Sequence, residues 1–116
     1  MHFRYEDLRV GDLVLSYTDR VYQLTGHFPG DERYALTQQI RKATTSVYLN
    51  LAEGSARNSK KDFARFITIS LGSLVESHAG FRLALHRKYI TDQQWDDLQE
   101  PVKDSGSNSL RYVVPN

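Results

Sequence analysis

The chain has 116 residues, 40% hydrophobic and 25% charged, with a formal net charge of +1; this places it with single globular domains and against wholesale disorder. Without cysteine it forms neither a disulfide nor a thiolate metal site, and no stretch reads as a membrane span or a secretion signal, so a cytoplasmic protein with no membrane partner is expected. Charge is unevenly spread: residues 1–32 hold three basic and six acidic side chains, residues 33–88 ten and three, and residues 89–116 two and five.

The first helix is predicted over residues 7–25. Val10, Val14, Tyr17, Val21 and Leu24 step by fours and threes, and Leu8, Leu15 and Tyr22 form a neighbouring row. Two adjacent rows make an apolar face wide enough for more than one partner. Gly11 inside it costs about 1 kcal/mol against alanine, which reads as a close approach. The stretch GHFPGDE at 26–32 is a loop, with Asp31 or Glu32 placed to cap the next helix.

The second helix is predicted over 33–53, with Leu36, Ile40, Ala43, Val47 and Leu51 at core spacing and a narrow middle at Thr44, Thr45 and Ser46. Gly54 reads as its stop, because glycine takes the left-handed conformation beyond a helix end without steric cost. Ser59 and Asp62 are spaced as a capping box opening a third helix over 60–87, roughly 42 Å long at 1.5 Å per residue. Its first row is Ala64, Ile67, Leu71, Leu74, His78, Phe81 and Leu85. A mostly small second row runs through Phe63, Phe66, Ser70, Ser73, Ser77, Gly80 and Ala84. Two such rows predict a largely enclosed helix.

Thr91 and Gln94 form another capping box, and Ile90 with Trp95 a hydrophobic staple, at the start of a fourth helix over 92–103. Pro101 strains that helix, DSGSNS ends it, and the tail 104–116 is expected to be weakly ordered. Four amphipathic helices without strand signals predict an all-α, up-down-up-down four-helix bundle in residues 1–116, left-handed from its 3–4 stepping.

The residues from Phe28 to Glu76 resemble the signature of the four-helix-bundle proteins encoded in intervening sequences of bacterial 23S ribosomal RNA genes. The stations are Phe28-Pro29, Glu32-Arg33, Leu36, Gln39 to Ala43, Ser46, Asn50, Ala52-Glu53-Gly54, Arg57, Phe63, Phe66, Leu71 to Leu74 and Glu76. The resemblance implies a bundle assembled into a ring, typically a homopentamer. A similar bundle is the accessory subunit of diversity-generating retroelements, where a basic ring engages nucleic acid and a reverse transcriptase. Most members have no established activity. The chain departs from the pattern near Gly11-Asp12, where bulk is usual, and at Pro101 and Gly106.

Two groups of residues carry candidate function. Asn50 and Glu53, one helical step apart beside Val47 and Leu51, read as a buried or interfacial polar network with Gly54 and Arg57. Asn50 would bond a neighbouring helix's backbone, and Glu53 would accept from Arg57 or from Arg41, because an unpaired buried carboxylate is costly. Arg41, Lys42, Arg57, Lys60, Lys61 and Arg65 are the candidate RNA or DNA contacts; the last four surround a helix start, where backbone N–H groups also favour phosphate. Phe63 and Phe66 belong to core rows, so base stacking is not indicated there. The bland alternative is a solvated face, or one that meets an acidic protein partner. Tyr17, Tyr34, Tyr48 and Tyr89 are expected to close a subunit interface, since tyrosine suits half-buried contact zones. His78 sits in a core row and reads as a packed, hydrogen-bonded histidine. No metal, cofactor or catalytic motif is legible, and the expected role is non-enzymatic: a self-associating interaction or accessory protein.

Overall fold

The computed structural model describes residues 1–104, with side chains through Gln99. The expected weak order of the tail and the helix stop at DSGSNS fall beyond those residues. Among the described residues there are four α-helices and no strand: α1 (Arg9–Thr25), α2 (Leu36–Ser55), α3 (Lys60–His86) and α4 (Asp92–Asp104).

The helix ends obey local chemistry. A 3₁₀ turn at Arg4–Asp7 delays α1, and Glu6 there accepts a hydrogen bond from the Phe3 N–H at 2.7 Å. A second 3₁₀ turn at Gly30–Glu32 delays α2, whose Leu36 N–H donates to Glu32 Oε1 at 3.3 Å. Ser59 Oγ accepts from the Asp62 N–H at 3.0 Å to open α3. At α4 the box is reciprocal: the Gln94 N–H donates to Thr91 Oγ1 at 3.1 Å, and the Thr91 N–H to Gln94 Oε1 at 2.9 Å. α3 closes in a Schellman turn, with Tyr89 N–H on the Ala84 carbonyl and Lys88 N–H on that of Leu85. Lys88 takes the left-handed position usually held by glycine (φ 65°). α4 continues through Pro101 to Asp104.

Gly54 does not stop α2. The helix runs on to Ser55 and closes at Ala56 in the right-handed region. The glycine answers a packing need instead: a Cβ there would stand 2.6 Å from Phe66 Cβ and 3.1 Å from Phe63 Cδ1. Gly80 does the same from the other side, since a Cβ would overlap Ile40 Cγ1. Gly11 is no close approach, because its nearest neighbours would lie at an ordinary 3.8 Å.

These two glycines let α2 and α3 form the most extensive helix pair of the bundle. One apolar cluster gathers Tyr17, Val21, Phe28, Ile40, Phe81, Ala84, Ile90 and Leu98; another gathers Val10, Val14, Val47, Leu51 and Ile67. Between α1, α2 and α3 runs a buried hydroxyl chain. Tyr17 Oη lies 2.8 Å from Ser77 Oγ, which lies 2.8 Å from Thr44 Oγ1, which donates to the Ile40 carbonyl at 2.8 Å. Each hydroxyl has one proton, so satisfying all three bonds fixes the direction from Tyr17 through Ser77 and Thr44 to Ile40. Ser70 Oγ likewise donates to the Val47 carbonyl at 2.9 Å.

The small row of α3 is therefore its inner face, and α3 is not enclosed. Ile69, Leu71, Val75 and Leu83 face solvent, with Val75 61% and Leu83 57% exposed. Leu71, placed in a core row by its spacing, is 46% exposed. On α1, Leu15 and Tyr22 of the second row are likewise exposed. α4 is tied to α1 by Arg20, which donates to the Asp97 carbonyl, and to α3 by the Trp95 and His78 rings, 4.6 Å apart.

Candidate nucleic-acid interface

The basic residues of the middle segment fall into two separate patches. The first is the corner between α2 and α3. Ser59 caps α3 and leaves Lys60 and Lys61 exposed in its first turn, next to the positive end of the helix dipole. Neither lysine has a carboxylate within 4.0 Å among the described residues. Arg57 donates to Glu53 Oε1 at 2.8 Å, and Arg65 Nε is 4.0 Å from Asp62 Oδ1. Both guanidinium groups also stand near the buried Phe66 ring, 4.8 and 4.6 Å from its centroid. These ion pairs are half-exposed, so solvent screening leaves them weak and the arginines available to an anion.

The second patch is an open groove of ≈ 560 Å³ on the outer face of α2. Arg33, Arg41 and Lys42 line it together with Tyr22 of α1, Tyr34 and Asn50, and among the described residues none that lines it is acidic. Arg41 is fixed in place: its Nε donates to Thr25 Oγ1 at 2.9 Å, and its guanidinium lies 4.4 Å from the Tyr22 ring centroid. The last turn of α1 has no cation of its own, and Arg41 supplies one to its negative end from the neighbouring helix.

The structure thus parts Arg41 and Lys42 from Arg57, Lys60, Lys61 and Arg65. It also rearranges the polar network. Asn50 Nδ2 donates within its own helix, to Ser46 O at 2.8 Å and Ser46 Oγ at 2.9 Å, not to a neighbouring helix's backbone. Glu53 is exposed, and its partner within the chain is Arg57, four residues on, not Arg41. Short local bonds win because both residues lie at the edge of the α2 face rather than inside it. Ser46 continues the chain outward, accepting from Ser73 Oγ of α3 at 2.9 Å.

The pairing of tyrosines with the cations of α2 was not foreseen from residue order. Tyr34, Gln38, Arg41, Thr45 and Leu49 do share one face by their spacing, which was the available signal. Tyr22 arrives from another helix and left none. Of the tyrosines expected at an interface, Tyr17 is buried inside the chain, Tyr48 and Tyr89 are half-buried, and Tyr34 is open to solvent. Tyr89 Oη donates to Glu32 Oε2 at 2.7 Å.

Burial pushes the Tyr17 phenol up to about 12, and burial lowers His78 below the ordinary histidine value. His78 is half-buried against Trp95, and no side-chain hydrogen bond holds it among the described residues. Among the described residues, no group of three His, Asp or Glu side chains is placed to hold a metal ion, and no helix is long and apolar enough to cross a membrane.

A family model described as 23S rRNA-intervening sequence protein matches residues 6–107. Among solved structures the fold is shared with a protein of unknown function from the S23 ribosomal protein family of Bacteroides thetaiotaomicron. Its TM-score is 0.78 at 20% identity, over 91% of this chain and 99% of that one. No functionally curated protein matches the chain significantly.

Proposed function

We propose, from the premise that this chain belongs to the 23S rRNA-intervening sequence protein family, that it is a non-enzymatic, self-associating helical bundle. It serves as a cytoplasmic interaction or accessory protein, with RNA or DNA as its contact through the basic surface. The observation that carries the reading is the outer face of α3. Ile69, Leu71, Val75 and Leu83 expose large apolar side chains on the outer side of one helix, and clustered exposed apolar side chains mark sites of protein association. A left-handed up-down-up-down bundle closed into a ring, pentameric as the resemblance implies, is the form we assign to that association. The Glu53–Arg57 pair and Gly54 lie at the α2–α3 corner, with Asn50 one helical step before them at the end of the α2 groove; such a ring would bring this end of α2 near a neighbouring copy. Repetition around a ring multiplies weak phosphate contacts by Lys60, Lys61 and their neighbours through avidity.

A second reading, an oligomer that binds only protein, is favoured by one observation. Among the described residues, no acidic side chain of α1 or α4 forms an ion pair with a basic side chain of α2 or α3. Among the described residues these opposite charges stay unpaired with each other, which leaves them for complementation between copies.

Light scattering, alone and with bulk RNA, separates the possibilities. The wild type is expected well above the 13.4 kDa of one chain, and Val75→Asp is expected to run as a monomer. A wild-type monomer in dilute solution refutes the assembly. RNA affinity that does not fall with added salt removes the nucleic-acid role and leaves the protein-binding oligomer.

A further inference from the structure

We infer that the groove on the outer face of α2 is a seat for single-stranded nucleic acid, with Tyr34 stacking on a base and Arg33, Arg41 and Lys42 holding the flanking phosphates. This rests on the nucleic-acid part of the function proposed above, and names the place and the strandedness of the contact.

Three features point to that ligand. The groove gathers three cations and, among the described residues, no carboxylate, which suits an anionic occupant. Tyr34 is 81% exposed, a large flat ring left in water beside those cations, and every base offers a face to such a ring. Arg41 is held by Thr25 and the Tyr22 ring before any ligand arrives, so little ordering is required of it on binding.

The far end of the groove adds a polar group. Asn50 spends its amide protons on Ser46 and leaves Oδ1 without a partner among the described residues, an acceptor suited to a base edge. From Leu36 to Asn50 the surface runs roughly 21 Å along α2, the scale of a short single-strand site.

The α2–α3 corner differs in kind. Its aromatic rings are Phe66, buried beneath Arg57 and Arg65, and Phe63, half-buried with Arg4 over it, so the corner offers phosphate contacts alone and does not discriminate single strands from duplex. A duplex keeps its bases stacked on one another and gives Tyr34 nothing to stack on.

The test measures anisotropy of a labelled oligouridylate of about ten nucleotides, and of a duplex RNA of the same length, at low salt. The wild type is expected to prefer the single strand. Tyr34→Ala should weaken that binding about tenfold and leave the duplex unaffected, while Tyr34→Phe, which keeps the ring, should restore it. The double variant Lys60→Gln, Lys61→Gln should weaken both ligands alike. Equal wild-type affinity for both ligands, or single-strand binding untouched by Tyr34→Ala, overturns the groove assignment and leaves nucleic-acid contact to the corner. A change in solution mass on Tyr34→Ala without any change in RNA affinity overturns it as well, and makes the groove a subunit contact. Absence of wild-type binding to either RNA at low salt removes the assignment together with the nucleic-acid reading beneath it.

Discussion

Toward α2, the helix α3 presents Ser70, Ser77, Gly80 and Ala84, all buried; toward solvent it presents Ile69, Leu71, Val75 and Leu83. The small residues share the inner side with Phe66, Ile67 and Phe81, while four large apolar residues are left outside, against the usual sorting by hydrophobicity. Spacing explains the inner face. Gly54 and Gly80 sit against Phe66 and Ile40 with no room for a methyl group, so the two backbones come close at these points, and Ser70 and Ser77 fill the seam between them. Hydroxyls are tolerated there because each finds a partner. Among the described residues nothing covers the outer face, and its bulk is what a second surface would bury.

That contrast can be broken most severely at the seam. Alanine at Gly54 or Gly80 gains about 1 kcal/mol of helix propensity and loses up to about 3 kcal/mol to overpacking. The two sites lie at separate points of the α2–α3 seam, one against Phe66 and the other against Ile40, so the effects should add. Gly54→Ala with Gly80→Ala should cost about 4 kcal/mol and lower the melting temperature by roughly 15 °C in calorimetry.

Alkali tests the hydroxyl chain next. The Tyr17 phenol holds its proton up to about 12 when folded, against 10.0 ordinarily. The unfolded chain therefore loses its proton first, and the folded state binds more protons between those values. Stability from Tyr17 is complete below pH 10 and is lost as pH rises toward 12, by roughly 2 to 3 kcal/mol. Urea unfolding across that range should show the slope in the wild type and a flatter one in Tyr17→Phe.

Ser77→Ala is smaller, about 1.5 kcal/mol in the same titration, because it strands the Tyr17 hydroxyl in the interior. Smallest for the fold is the outer-face exchange Val75→Asp, under about 0.5 kcal/mol, even though it is the variant expected to dissolve the assembly. If instead it unfolds the chain, the outer face belongs to the core and the comparison fails.

Much of the bundle was legible from residue order. The step of three and four at Val10, Val14, Tyr17 and Val21 gave α1 its buried stripe, and the Thr91/Gln94 box opened α4 where its spacing placed it. Leu71 misled because periodicity assigns a residue to a row without saying which of two adjacent rows a neighbour covers. Gly54 misled for a related reason: a glycine at a helix end serves either a left-handed turn or a close approach, and a neighbouring helix chose the second. The candidate site was legible as cations and not as a place. Arg41 and Lys42 lie in the same basic segment as Lys60 and Lys61, yet α2 carries them to another surface, where Tyr22 and Tyr34 join them.

By itself, then, the sequence determined which segments are helical, where α3 and α4 are capped and that the middle is basic, because hydrogen-bonded turns, caps and charge are properties of near neighbours along the chain. Tertiary structure alone decided which face of α3 is buried, why Gly54 and Gly80 are glycines, and which cations meet which tyrosines. Those depend on distances between helices, and such distances are set only when every backbone has found its nearest approach to the others.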